Sequence, residues 1–147
     1  MLRGAGGGQQ RQVSRSSHLL VFSVGGKRLA VRTTEVGGIS AWIGSVPIPS
    51  RTPYVAAVVR QEHGIVPVFD LAGLLKVRVR GAQRLCLMAK HPGGAMAICI
   101  DEEMPSLHVH DLSMICPYEG AAFPTSGRIE IDLEEIPIIS FAKLGHA

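Results

Sequence analysis

With 147 residues, 46% of them apolar and 18% charged, the chain is long enough to bury one substantial core and too apolar to be disordered throughout. No window offers the ~18 uninterrupted apolar residues of a membrane-spanning helix, and the N-terminus lacks the apolar core of a secretory leader, so the expected compartment is the cytoplasm, without membrane insertion. The formal net charge of +3 resides in Arg3, Arg11 and Arg15, because the other 12 basic residues are balanced by 12 acidic ones.

Those arginines lie in a first segment, residues 1–17, rich in Gly, Gln and Ser, whose composition predicts a disordered basic tail ahead of a folded domain over 18–147. Within that domain, residues 18–90 hold ten Lys or Arg against three acids, and residues 91–147 hold nine acids against Arg128 and Lys143, about +7 and −7. Such asymmetry either draws the two halves of one molecule together or steers partners and head-to-tail self-association. Three cysteines, Cys86, Cys99 and Cys116, are an odd number without a CxxC pair, which opposes a disulfide framework and a zinc site and predicts reduced, buried thiols.

In chain order, the apolar runs 18–24 and 27–31 flank Gly25-Gly26, a dipeptide that permits positive φ, and predict a hairpin. Arg32 to Trp42 reads as a short helix or an irregular crossing, with Gly37 and Gly38 opposing a long helix. Pro47, Pro49 and Pro53 predict an extended loop, and 54–59 a strand returned by a turn over 60–64. Ile65, Val66, Val68 and Phe69 make the next strand. Pro67 within it places the strand at an edge or a bulge, because proline cannot donate to a ladder. Asp70 is positioned to cap a brief helix over Leu71 to Leu75.

Lys76-Val-Arg-Val-Arg80 alternates with period two and reads as a strand with three cations on one face, either a patch for acidic partners or a charged face that discourages edge pairing. The apolar runs 84–89 and 95–100 predict a central hairpin closed by Asp101-Glu-Glu103. His108-Val-His110 puts two imidazoles on one strand face, but without a third ligand nearby it carries no metal assignment. After a loop around Pro117 to Pro124, 128–132 and 136–140 read as final strands and 141–144 as a short helical end. Eight or nine short strands with frequent turns predict a mainly β, small-barrel fold.

The order of Leu19-Leu-Val-Phe-Ser-Val-Gly-Gly-Lys-Arg-Leu-Ala-Val31, Thr33-Thr-Glu-Val36, Pro47-Ile-Pro49, Pro53-Tyr-Val-Ala-Ala-Val-Val59 and Gly64-Ile-Val-Pro-Val-Phe-Asp-Leu71 resembles the CheW-like family of chemotaxis adaptors over nearly everything after the tail. Ile100-Asp-Glu-Glu103 and Ile136-Pro-Ile-Ile-Ser-Phe-Ala-Lys-Leu144 are similar to later family segments. The resemblance implies two SH3-like five-stranded barrel subdomains with short helices, here divided near residues 76–84. It also implies a protein that does no chemistry and needs no cofactor. Such a protein joins the cytoplasmic tips of methyl-accepting chemoreceptors to the regulatory domain of a CheA-type histidine kinase. No nucleophile elbow, Walker loop or GxGxxG motif contradicts this.

One departure bears on the partners. Where the family turn reads Asn-Leu-Arg-Gly, this chain has Arg60-Gln-Glu-His63, so Glu62 stands at the position of an arginine that pairs with the glutamate corresponding to Glu35. Two carboxylates would then repel, and Arg60 is expected to supply part of the missing charge. By position, the resemblance assigns partner binding to Glu35, Val36, Val58, Arg60, Glu62 and His63, on an apolar groove between the barrels. Val58 is expected in the core and Glu62 and His63 in an exposed turn. The altered turn leaves room for a modulator that keeps one partner surface only. A nucleic-acid-binding barrel is the alternative of another class, with few aromatic platforms to support it: one Trp, two Tyr and four Phe.

Overall fold

The computed structural model describes residues 15–61 and 64–144. Its strands are β1 (Ser16–Val24), β2 (Lys27–Arg32), β3 (Val36–Ala41), β4 (Val46–Pro47), β5 (Val55–Gln61), β6 (Gly64–Phe69), β7 (Leu85–Ala89), β8 (Met96–Ile100), β9 (Ser106–Asp111), β10 (Thr125–Ile131) and β11 (Glu134–Ile139). One short helix, α1 (Leu71–Leu75), and 3₁₀ turns at Thr33–Glu35, Leu112–Met114 and Phe141–Lys143 complete it. The strands form a five-stranded sheet, β10-β11-β2-β1-β9, and a six-stranded sheet, β3-β7-β8-β6-β5-β4.

Strand alternation sorts the apolar side chains into three layers. Leu19 and Val21 of β1 pack with Ala30, Ile129, Ile136 and Ile138 inside the first sheet. Their neighbours Leu20, Phe22 and Val24 turn the other way and meet Leu87, Ala89, Met96, Ile98 and Ile100 of the second sheet in a central layer. Beyond it, Cys86 and Ala97 pack with Val59 and Val68 on the far face of the second sheet. The near-continuous apolar runs of β1, β7 and β8 follow from this, because strands covered on both faces have no polar side to show.

The Gly-Gly hairpin forms as expected: Gly25 and Gly26 have φ of 60° and 83°, the pair of positive values a type I′ turn requires. Asp70 caps α1, its Oδ1 accepting the Gly73 N–H at 3.0 Å. Pro67 is not at the edge or bulge expected for it: β6 lies inside the sheet between β8 and β5, paired with β8 at Val68 and Ala97, and the bulge is in β5, between Val55 and Ala57. The Asp70 N–H donates to Tyr54 O, so strand alternation turns Val68 toward β5 and Pro67 away from it, and the missing donor costs β5 no ladder bond.

Four further expectations change. Lys76 to Arg80 is not a strand: Val77 and Val79 pack on the central layer, while the Arg80 N–H donates to Asp101 rather than to a neighbouring strand. The chain is not divided near 76–84. It leaves the first sheet at 33–35 and returns at 101–105, because β9, β10 and β11 complete the sheet that β1 and β2 begin. β1 starts at Ser16, ahead of the expected boundary at 18, and the expectation for the rest of the tail lies outside the described residues. All three cysteines are free, but only Cys86 is buried; Cys99 in β8 and Cys116, bridged to Arg128 of β10, are half-buried. Across the two charge halves, Arg28 pairs with Glu134 at 2.8 Å.

The tip of the last hairpin is strained. Asp132 and Leu133 both have positive φ, 51° and 67°, and Leu133 is 94% exposed. A side chain in this left-handed region costs roughly 1–2 kcal/mol, which the extra chain entropy of glycine offsets in part. Leu133→Gly is therefore expected to stabilise the fold by about 0.5–1 kcal/mol. Urea unfolding that shows no gain would refute this reading of the turn.

Candidate partner-binding face

β5 and β6 pair in antiparallel register with Val58 opposite Pro67 and Arg60 opposite Ile65, and β4 places Val46 opposite Val58. Opposed residues share a face, so Val46, Val58, Arg60, Ile65 and Pro67 form one surface. It is the same face of the second sheet that carries the central layer at β7 and β8, continued past the strands that the first sheet covers. Val46 is 63% and Ile65 68% exposed. A cleft of about 490 Å³ borders it, walled by Ile65, Pro67, Met96, His91 and Leu144. Exposed apolar surface that continues a core layer is what partner proteins cover.

The parity of β5 explains why Val58 belongs to this surface and not, as expected, to the core. A bulge between Val55 and Ala57 shifts the register, and a one-residue slip exchanges the faces of everything after it. Val59, 3% exposed, is buried in place of Val58, which stays half-buried.

Glu35 stands at the end of the first 3₁₀ turn, half-buried. Its Oε1 accepts the Ala142 N–H at 3.1 Å, and its carbonyl accepts the Lys90 N–H at 2.8 Å. Next to Lys90, His91 Nε2 lies 2.7 Å from the Leu144 carbonyl. Glu35 thus ties the C-terminal turn to the β7–β8 loop at the rim of the cleft. The expected compensation by Arg60 is absent: among the described residues no ion pair joins Arg60 to Glu35, whose carboxylate accepts the Ala142 N–H instead. Val36 is half-buried against the central layer, so it supports this region through packing. Glu62 and His63 lie outside the described residues.

Two consequences are measurable. Glu35→Ala is expected to cost about 1 kcal/mol and to speed hydrogen exchange at Ala142, and Glu35→Gln, which keeps an acceptor oxygen, less than half of that. In a Glu35→Gln, Arg60→Gln double-mutant cycle the coupling is expected near zero; a coupling above about 0.5 kcal/mol would restore the ion pair.

Ile65, Pro67 and Val46 were absent from the residues assigned by resemblance. Their sequence signal is the alternation of Ile65 and Pro67 with half-buried Val66 and buried Val68, but only the β4–β5 pairing adds Val46. Elsewhere, His108 and His110 stack with ring centroids 6.2 Å apart, and His108 Nε2 lies 2.9 Å from Ser106 Oγ. Among the described residues no group of three or more His, Cys, Asp or Glu is placed to hold a metal, and no helix is long and apolar enough to cross a membrane.

The CheW-like domain family model matches residues 18–144. A chemotaxis protein CheW of Bacillus subtilis (strain 168) is 25% identical over 122 residues, covering 81% of this chain and 78% of that protein. The crystal structure of the scaffolding protein TtCheW from Thermoanaerobacter tengcongensis superposes with a TM-score of 0.78 at 17% identity, covering 89% of this chain and 88% of that one, a likeness of fold.

Proposed function

This chain belongs to the CheW-like domain family, and from that we propose that it is a non-enzymatic chemotaxis coupling adaptor. In the finer form of the reading, it links the cytoplasmic tip of a methyl-accepting chemoreceptor to the regulatory domain of a CheA-type histidine kinase, as part of a cytoplasmic array. The observation that carries the reading is the uncovered apolar face of β4, β5 and β6, where Ile65 is 68% and Val46 63% exposed on the continuation of a buried core layer. A protein with no partner gains nothing from leaving that layer open, whereas an adaptor needs a flat apolar seat with a polar rim, which Arg60 supplies.

A second reading rests on Glu62, which replaces the arginine of the family turn. A carboxylate there reverses the charge offered to any partner seated beside Arg60, so one of the two partner surfaces is changed and the protein acts as a modulator of the array.

The test is a pull-down of the full chain against the receptor tip and the kinase regulatory domain separately. Capture of both supports the coupling role, and capture of one supports the modulator. Capture of neither, with the protein shown to be folded, sinks both readings.

A further inference from the structure

Cys86 and Cys99 stand directly opposite each other in the β7–β8 hairpin. The kind of pair they form follows from the strand on the other side of β7. The Trp42 N–H donates to Arg84 O at 3.0 Å and the Lys90 N–H to Glu35 O at 2.8 Å, both toward the β3 side. Successive strand residues direct their backbone groups to alternate sides, so residues 84, 86, 88 and 90 bond toward β3 and residues 85, 87 and 89 toward β8. Cys86 and Cys99 are therefore a non-hydrogen-bonded pair, the kind with the closer side chains and a Cα separation near about 4.5 Å. That falls inside the window of roughly 4.4–6.8 Å that a disulfide spans.

Both thiols lie on the far face of the second sheet, away from the central layer. Cys86 is buried with Val59, Val68 and Ala97, whereas Cys99 is half-buried and lines a cavity of about 340 Å³ with Trp42 and Arg84. Cys116 is remote in the topology, bridged to Arg128 of the first sheet. We propose that Cys86 and Cys99 form a reversible dithiol–disulfide couple, a redox modification site entered through this cavity, with a low-molecular-weight disulfide as its oxidant.

The exchange balances as follows. Cys99 loses its proton to solvent and the thiolate so formed attacks one sulfur of the oxidant, forming a mixed disulfide and releasing one thiolate, which takes up a proton. Cys86 loses its proton to solvent and attacks Cys99 Sγ, closing the cross-strand bond and displacing the second thiolate, which is protonated in turn. Two protein thiols are oxidised and one small disulfide is reduced to two thiols. Burial pushes the Cys99 thiol up to about 11, opposed by the charge and hydrogen bond of Arg84; burial likewise raises Cys86, opposed by a hydrogen bond with Ser40. Both thiols are thus protonated at neutral pH, and the couple responds to sustained oxidation instead of turning over as a catalyst.

The experiment incubates the full chain, native, with oxidised glutathione, and follows intact mass and non-reducing digestion. Trypsin followed by a glutamate-specific protease separates Cys99 from Cys116 at Glu102 and Glu103. The expected result is a loss of about 2 Da, reversed by dithiothreitol, with Cys86 and Cys99 peptides cross-linked. It persists in Cys116→Ser and disappears in Cys86→Ser and Cys99→Ala. The peptide map needs no variant to fold. A cross-link through Cys116, a glutathione adduct on Cys99 that never closes, or closure only in denaturant would each overturn the proposal.

Discussion

Asp101→Ala is expected to lower folding stability by about 3–5 kcal/mol, measured as the shift in urea unfolding free energy. The Asp101 carboxylate, in a residue 4% exposed, accepts three backbone N–H groups: Gly25 and Arg80 on Oδ1 and Gly26 on Oδ2, each at 2.8 Å. Hydrogen bonds to an ionised acceptor are worth roughly 1.5–3 kcal/mol each, and a buried donor left without a partner costs its full desolvation. The three are not additive, because removing the side chain lets the turn relax and admits water. The location enlarges the effect. Asp101 lies where the chain crosses from β8 back to the first sheet, and its carboxylate ties the β1–β2 turn of that sheet to the irregular 77–80 segment over the second. Asp101→Asn is expected to lose about half as much, since the amide oxygen keeps the Gly25 and Arg80 donors while its NH₂ group opposes Gly26. A loss below about 1 kcal/mol for Asp101→Ala would mean that water replaces the carboxylate and that the cradle does not hold the sheets together.

Ile65→Glu is expected to separate binding from folding. Ile65 is 68% exposed, so stability should change by no more than about 0.5 kcal/mol. Binding to the partner that seats on β4, β5 and β6 should weaken at least about tenfold, because a carboxylate in the middle of an apolar seat must be desolvated beside Val58 and Pro67. Leu107→Glu serves as the comparison. Leu107 is 72% exposed on β9, an edge strand of the other sheet, and its substitution should leave that partner's affinity unchanged. Titration of each variant against the receptor tip and the kinase regulatory domain decides the matter. If Leu107→Glu abolished binding while Ile65→Glu did not, the candidate face would be on the wrong sheet.

What the sequence determined by itself was local. The Gly25-Gly26 turn, the Asp70 cap and the strand at Val66 to Phe69 depend on a few neighbouring residues whose backbone preferences and hydrogen-bonding groups act over short range. The family was legible because several such segments recur in order. The tertiary structure decided the rest, for reasons of register and pairing. A bulge in β5 put Val59 inside and Val58 outside, which no alternation count reveals. Lys76 to Arg80 has strand periodicity but no strand to pair with, since Asp101, some twenty positions on, captures its backbone. Glu35 holds the Ala142 N–H, 107 residues away, and not Arg60, the cation that its charge suggested. Cys86 and Cys99 stand opposite each other because the register of the β7–β8 hairpin pairs them. Likewise, the apolar face around Ile65 stays open because the first sheet ends before covering it. Sequence periodicity says which residues share a face of one strand; only the assembled sheets decide which faces are covered.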